Sequence, residues 1–112
     1  MNKLTLDTLG ERLRKVRIDL GLSQTQLAEQ LNVGQMEVSR LETGKGGGIN
    51  FLLSVICFYS PHIRIEILLN PNIDFSLINR NNQLYKKPIN EIAIERINQL
   101  KEDLDNIVKL LK

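Results

Sequence analysis

At 112 residues with a net charge of +2, 42% hydrophobic and 25% charged, the chain has the size and composition of one modest domain plus an appendage. No apolar run reaches the roughly 18 residues that span a bilayer, no signal-peptide pattern opens the sequence, and Cys57 is alone. A membrane span, a disulfide framework and a cysteine metal cluster are therefore excluded, and a reducing cytoplasm is the expected setting.

Charge by segment excludes a basic protein that coats nucleic acid non-specifically. Residues 1–48 carry seven Lys/Arg and six Asp/Glu, residues 49–88 four and two, and residues 89–112 four and five. In chain order, Leu6, Leu9, Leu13, Val16 and Leu20 recur at spacings of three and four and predict a first helix with one apolar face. Thr8 and Glu11 form its expected capping box and Gly21 its stop. Ser23 and Gln26 repeat the capping signature before a second helix holding Leu27, Ala28 and Leu31. A third helix runs from about Gln35 to Leu41 or Glu42 and ends before Gly44. The run GKGGG, Gly44 to Gly48, reads as a flexible turn. Ile49 to Tyr59 then reads as a fourth helix, apolar nearly all round and so expected at the centre of the core, with Pro61 closing it. Residues 1–60 thus make a four-helix domain.

The segment HIRIEILL, His62 to Leu69, alternates Ile63, Ile65 and Ile67 with other residues, a β pattern; a helical reading of 62–69 is the alternative. A lone strand needs an edge, supplied by Ile73–Ile78 in a hairpin or by a second copy of the chain, so residues 61–78 are assigned as a β dimerisation segment. Residues 79–88 are polar and read as a linker. Residues 89–112 predict a coiled-coil helix, with Ala93, Ile97, Leu100, Leu104, Ile107 and Leu111 as its seam. A helix folded back on its own domain is the competing reading. The fold class is mainly α, with a short β segment.

Residues Ser23 to Lys45 carry the sharpest pattern. Ala28 is small enough for a second helix to cross closely, Asn32 tolerates the left-handed conformation, Val33 plugs the core, and Val38 and Leu41 anchor the next helix. This is the pattern of a helix-turn-helix, whose second helix lies in a DNA major groove. By their chemistry Gln35 can pair with adenine and Arg40 with guanine, whereas Met36 suits a thymine methyl.

From LGERLRKVR through LGLSQTQLAEQLNV to VSRLETGK, about residues 9–59, the chain resembles the phage-repressor and Cro-like helix-turn-helix regulators, the xenobiotic-response-element class. The resemblance implies that Gln35 reads a base, with Met36, Ser39 and Arg40 on the same exposed face. It implies that Gln24, Thr43 and Lys45 hold backbone phosphates and that Arg17 and Glu42 form a structural ion pair. Gly34 departs from the Ser or Thr that often caps the recognition helix, and GKGGG replaces a loop that often carries basic residues. Few phosphate contacts per subunit remain, so two half-sites must add theirs. A helix followed by an HIRIEIL-like strand is also similar to the antitoxins of toxin–antitoxin pairs.

No nucleophile–base pair, metal cluster or phosphate-binding glycine motif is present, and His62 and Cys57 read as a surface residue and an inert small hydrophobe. The expectation is a non-enzymatic cytoplasmic regulator, a repressor, that binds a pseudo-palindromic site on double-stranded DNA as a homodimer. It needs no cofactor, metal or membrane. Ile63, Ile65, Ile67, Ile97, Leu100, Leu104, Ile107 and Leu111 are assigned to dimerisation, with the C-terminal helix also open to a protein partner. The alternative is an antitoxin-like or coiled-coil interaction subunit in which DNA binding is secondary.

Overall fold

The computed structural model describes residues 3–75, 83–87 and 89–111. Among the described residues there are six helices: α1 (Leu6–Asp19), α2 (Gln24–Leu31), α3 (Gln35–Glu42), α4 (Gly48–Tyr59), α5 (Ile65–Leu68) and α6 (Ile89–Leu110). No described helix is long and apolar enough to cross a membrane.

The first helix begins earlier than the expected capping box. Thr5 is its N-cap and accepts a hydrogen bond from the backbone N–H of Thr8, which places Thr8 inside the first turn. Leu9, Leu13, Val16 and Leu20 are buried as the spacing predicts, whereas Leu6 stays exposed. Ser23 and Gln26 do form a capping box at the start of α2. Asn32 ends that helix in the left-handed region (φ 57°, ψ 46°), and Val33 donates its N–H back to Ala28 O at 3.0 Å. The two helices are therefore joined by a turn whose conformation Asn32 can hold at little cost.

Helix α1 crosses the end of α3 at Gly10. A Cβ built there would lie 2.5 Å from Leu41 O and 2.7 Å from Glu42 O, so only glycine permits this approach. The GKGGG run forms the expected turn, with Gly44, Gly46, Gly47 and Gly48 all at positive φ.

Helix α4 does not occupy the centre of the core. Val55 and Tyr59 are buried, but Ile49 is 73% and Leu53 52% exposed, and Cys57 is exposed as well. An apolar surface on every side says that a helix wants cover; one chain supplies it here on one face only.

The β reading of residues 61–78 is corrected. Among the described residues there is no strand: residues 65–68 form a single helical turn, and Ile63 makes one isolated antiparallel bridge to Tyr85. The ladder stops after Arg64 N–H donates to Leu84 O (2.7 Å) and Lys86 N–H to His62 O (2.9 Å). Beyond this bridge the carbonyls of Leu68, Asn70 and Ile73 accept from the guanidinium of Arg12 at 2.7–2.8 Å, so a buried cation takes the place of a partner strand. Phe75 stacks its ring on the same guanidinium, 4.5 Å from the ring centre. The rest of the expected return strand, 76–78, lies outside the described residues.

The expected polar linker is likewise a structural part where it is described. Leu84 and Tyr85 are buried, and the Tyr85 hydroxyl donates to the carboxylate of Asp19 on α1. Residues 83–87 thus form a strap across the helical body, reinforced by Arg64 Nη1, which donates to Gln83 O and Tyr85 O. Ile92, in the second turn of α6, is buried with them. Ile92 therefore belongs to the same core as α1 and α4.

Candidate nucleic-acid interface

The junction of α1, α2 and α3 is organised by one buried charge pair. Arg17, in the last turn of α1, donates through Nε to Glu42 Oε2 at 2.7 Å and through Nη2 to Glu42 Oε1 at 3.1 Å. Its remaining arm, Nη1, donates to Leu22 O at 2.8 Å. Both side chains are buried, so each charge is desolvated and each depends on the other. Tyr59 closes the core close to this pair; burial and the charge of Glu42 push its hydroxyl well above the usual tyrosine range, although Arg17 opposes the shift.

The carboxylate also reaches outward. Gln24 Nε2, in the first turn of α2, donates to Glu42 Oε1 at 3.0 Å. With its nitrogen turned inward, Gln24 presents Oε1, which accepts from Gln35 Nε2 at 2.5 Å. A chain Arg17–Glu42–Gln24–Gln35 therefore runs from the buried end of α1 to the exposed first residue of α3. It leaves Gln35 with a free carbonyl oxygen and one further N–H pointing to solvent. The sequence reading found all four residues but not the chain that joins them.

The other residues of the expected reading face are placed as follows. Met36 is 60% exposed and Arg40 is exposed, whereas Ser39 is partly covered. Glu37 is exposed in the first turn of α3, where its charge complements the helix dipole. Gly34 is the N-cap of α3 with no side-chain hydrogen bond, which leaves the first N–H groups of that helix uncapped by a side chain. Thr43 turns its hydroxyl back onto Ser39 O at 2.9 Å, and Lys45 is exposed in the loop that follows. Gln24, Gln35 and Glu42 are thus joined in one network, while Met36, Arg40 and Lys45 stand in solvent.

The expected dimerisation residues divide. Ile63 is fully buried within its own chain, and Ile65 and Ile67 are partly covered on and beside the short helix, so this segment offers no free strand edge. Ile97, Leu100, Leu104 and Ile107 are 52–62% exposed, and Leu111 is more so. Beyond its second turn α6 does not fold back on the body. Arg12 was assigned no role by the sequence; its position beside Leu13 on the inner face of α1 was the available signal.

Among the described residues no group of His, Cys, Asp or Glu could hold a metal ion. Residues 8–48 match the family model described as a helix-turn-helix domain, and that domain covers α1, α2 and α3. The match takes in less than half of the chain. No curated protein and no solved structure matches it.

Proposed function

We propose that this helix-turn-helix protein is a sequence-specific regulator that binds double-stranded DNA as a homodimer and represses by occupancy of a pseudo-palindromic operator. The observation that carries this reading is the hydrogen-bond chain ending at Gln35. An amide that must read adenine has to offer an acceptor to N6 and a donor to N7, and in the right order. Gln24 consumes one N–H of Gln35 and fixes the plane of the amide, so the two remaining groups are pre-set and little ordering is required on binding. Arg40, exposed on the same helix, is suited to guanine, Met36 to a thymine methyl, and Ser39 to any base edge. Lys45, the free N–H of Gln24 and Thr43 would hold phosphates and fix the register of the helix in the groove.

With a net charge of only +1 over residues 1–48, one subunit makes few phosphate contacts. The exposed seam of α6 supports pairing of two subunits, whose recognition helices would then enter grooves about 34 Å apart or at a multiple of that spacing. The same seam is what the antitoxin-like or adaptor alternative would use for a protein partner, and one experiment separates the two. Bound duplexes are selected from a random pool at near-physiological salt, using the native chain and the Gln35→Ala, Arg40→Ala variant. The expected result is a two-fold symmetric motif with adenine at the Gln35 positions, which the variant fails to enrich. Each lost bidentate contact should remove about 1–3 kcal/mol of discrimination per half-site. A folded, dimeric native protein that enriches no motif would overturn the regulator reading in favour of the alternative.

A further inference from the structure

The chain of bonds from Arg17 to Gln35 has a direction. Arg17 Nε and Nη2 donate to the two oxygens of Glu42, so this carboxylate accepts only. Gln24 has an N–H end and a carbonyl end, and beside Glu42 it must turn the N–H end inward; Nε2 lies 3.0 Å from Glu42 Oε1. The end left for α3 is then the carbonyl. Gln35 has to meet it with Nε2, as it does at 2.5 Å. Neither amide can turn over alone. Reversing Gln24 sets its carbonyl against a carboxylate, and reversing Gln35 sets two carbonyls against each other. Gln35 and Glu42 are the first and last residues of α3. A buried charge at one end of the helix thus fixes, by way of α2, the order of donor and acceptor presented at the other.

We infer that Gln24 is a positioning residue that determines base preference: it passes the direction set by Glu42 to Gln35, and so selects adenine over guanine. This rests on the proposed reading of DNA by Gln35 and names what sets its choice. An amide held in the native order matches adenine at both polar groups, with a donor on N7 and an acceptor on N6. Guanine carries acceptors at N7 and O6, so the same amide finds one match and one clash. With the order reversed, adenine is mismatched at both groups while guanine keeps one match. The preference therefore follows the direction of residue 24 and not the residue type at position 35 alone.

Gln24→Lys reverses that direction with little demand on the fold, because position 24 is only partly covered. An ammonium donates to Glu42 as Nε2 does, but it cannot accept from Gln35, which must then turn its carbonyl toward residue 24. The test uses the full chain as native protein, Gln24→Lys, Gln24→Met, and Gln24→Lys combined with Gln35→Ala, each checked by circular dichroism. Selection from a random pool gives the native motif, and duplexes with adenine or guanine at the Gln35 position are compared by fluorescence anisotropy. The native chain should prefer adenine by about fivefold or more, and Gln24→Lys should prefer guanine. Gln24→Met, whose Gln35 can take either order, should bind more weakly and keep adenine. The combined variant should prefer neither base; a guanine preference there would show the lysine reading the base itself and overturn the inference. A folded Gln24→Lys protein without the reversal would also overturn it, while leaving Gln35 as the reader. A native chain that selects no motif would overturn both the inference and the reading beneath it.

Discussion

Gly10→Ala sets two effects of opposite sign against each other. Gly10 is buried in the interior of α1, where alanine is favoured over glycine by about 1 kcal/mol on helix propensity alone. Against this, the new methyl would sit 2.5 Å from Leu41 O, 2.7 Å from Glu42 O and 2.9 Å from the carbonyl carbon of Glu42. All three are backbone atoms, so no side chain can rotate away. Relief requires α1 and the end of α3 to separate by several tenths of an ångström, across the interface that holds the Arg17–Glu42 pair. Overpacking of this kind costs about 1–3 kcal/mol, and a backbone obstacle belongs at the upper end. The expected net loss is about 2 kcal/mol, or about 8–16 °C in Tm for a body of this size. Urea denaturation followed by far-UV circular dichroism measures it. A variant as stable as the native chain, or more stable, would refute the claim that the α1–α3 crossing depends on glycine.

Three further outcomes follow from the same structure. Glu42→Ala leaves the Arg17 guanidinium buried with only Leu22 O as partner and should cost about 3–5 kcal/mol in urea denaturation. The double change Arg17→Met, Glu42→Leu should recover most of that loss, and a double variant no better than the single one would show that the damage lies elsewhere. Tyr85→Phe removes the hydroxyl that ties the strap to Asp19 and should cost about 1–2 kcal/mol at neutral pH. Burial first, and the bond to Asp19 second, hold the Tyr85 proton more tightly in the folded chain than in the unfolded one. The resulting stability is complete below about pH 10 and is lost as the pH rises beyond it, so denaturation at alkaline pH should fall less steeply for Tyr85→Phe than for the native chain. An identical alkaline slope in the two proteins would rule out Tyr85 as its source.

The helix-turn-helix was legible because its signals are local. Ser23 and Gln26 cap a helix three residues apart, Asn32 marks a left-handed turn, and Leu9, Leu13 and Val16 repeat at helical spacing. The strap was hidden for the opposite reason. Leu84 and Tyr85 are two apolar residues in a polar stretch, and their burial depends on partners such as Asp19 far away in sequence. His62 to Leu69 misled because alternation over a few residues can also place Ile65 and Leu68 on one side of a helical turn, and no neighbouring strand was present to arbitrate. Helix α4 shows what hydropathy leaves open: it reports that Ile49 and Leu53 are apolar, not whether anything covers them. At the site, residue types were readable one by one. The Gln24–Gln35 link was not, since it spans two helices whose crossing angle no pattern encodes.

The strap also gives the chain an order of assembly. The contacts that set α3 close over separations of 11 to 25 residues, whereas Tyr85 meets Asp19 over 66. Closing the longer loop costs more chain entropy, so the contact between Tyr85 and Asp19 is expected to form after those around α3. During synthesis that contact cannot form until the ribosome has released residues 83–92, by which point α6 is itself emerging. A chain stopped near residue 60 would carry α3 on a core that still lacked Ile63, Leu68, Leu84, Tyr85 and Ile92.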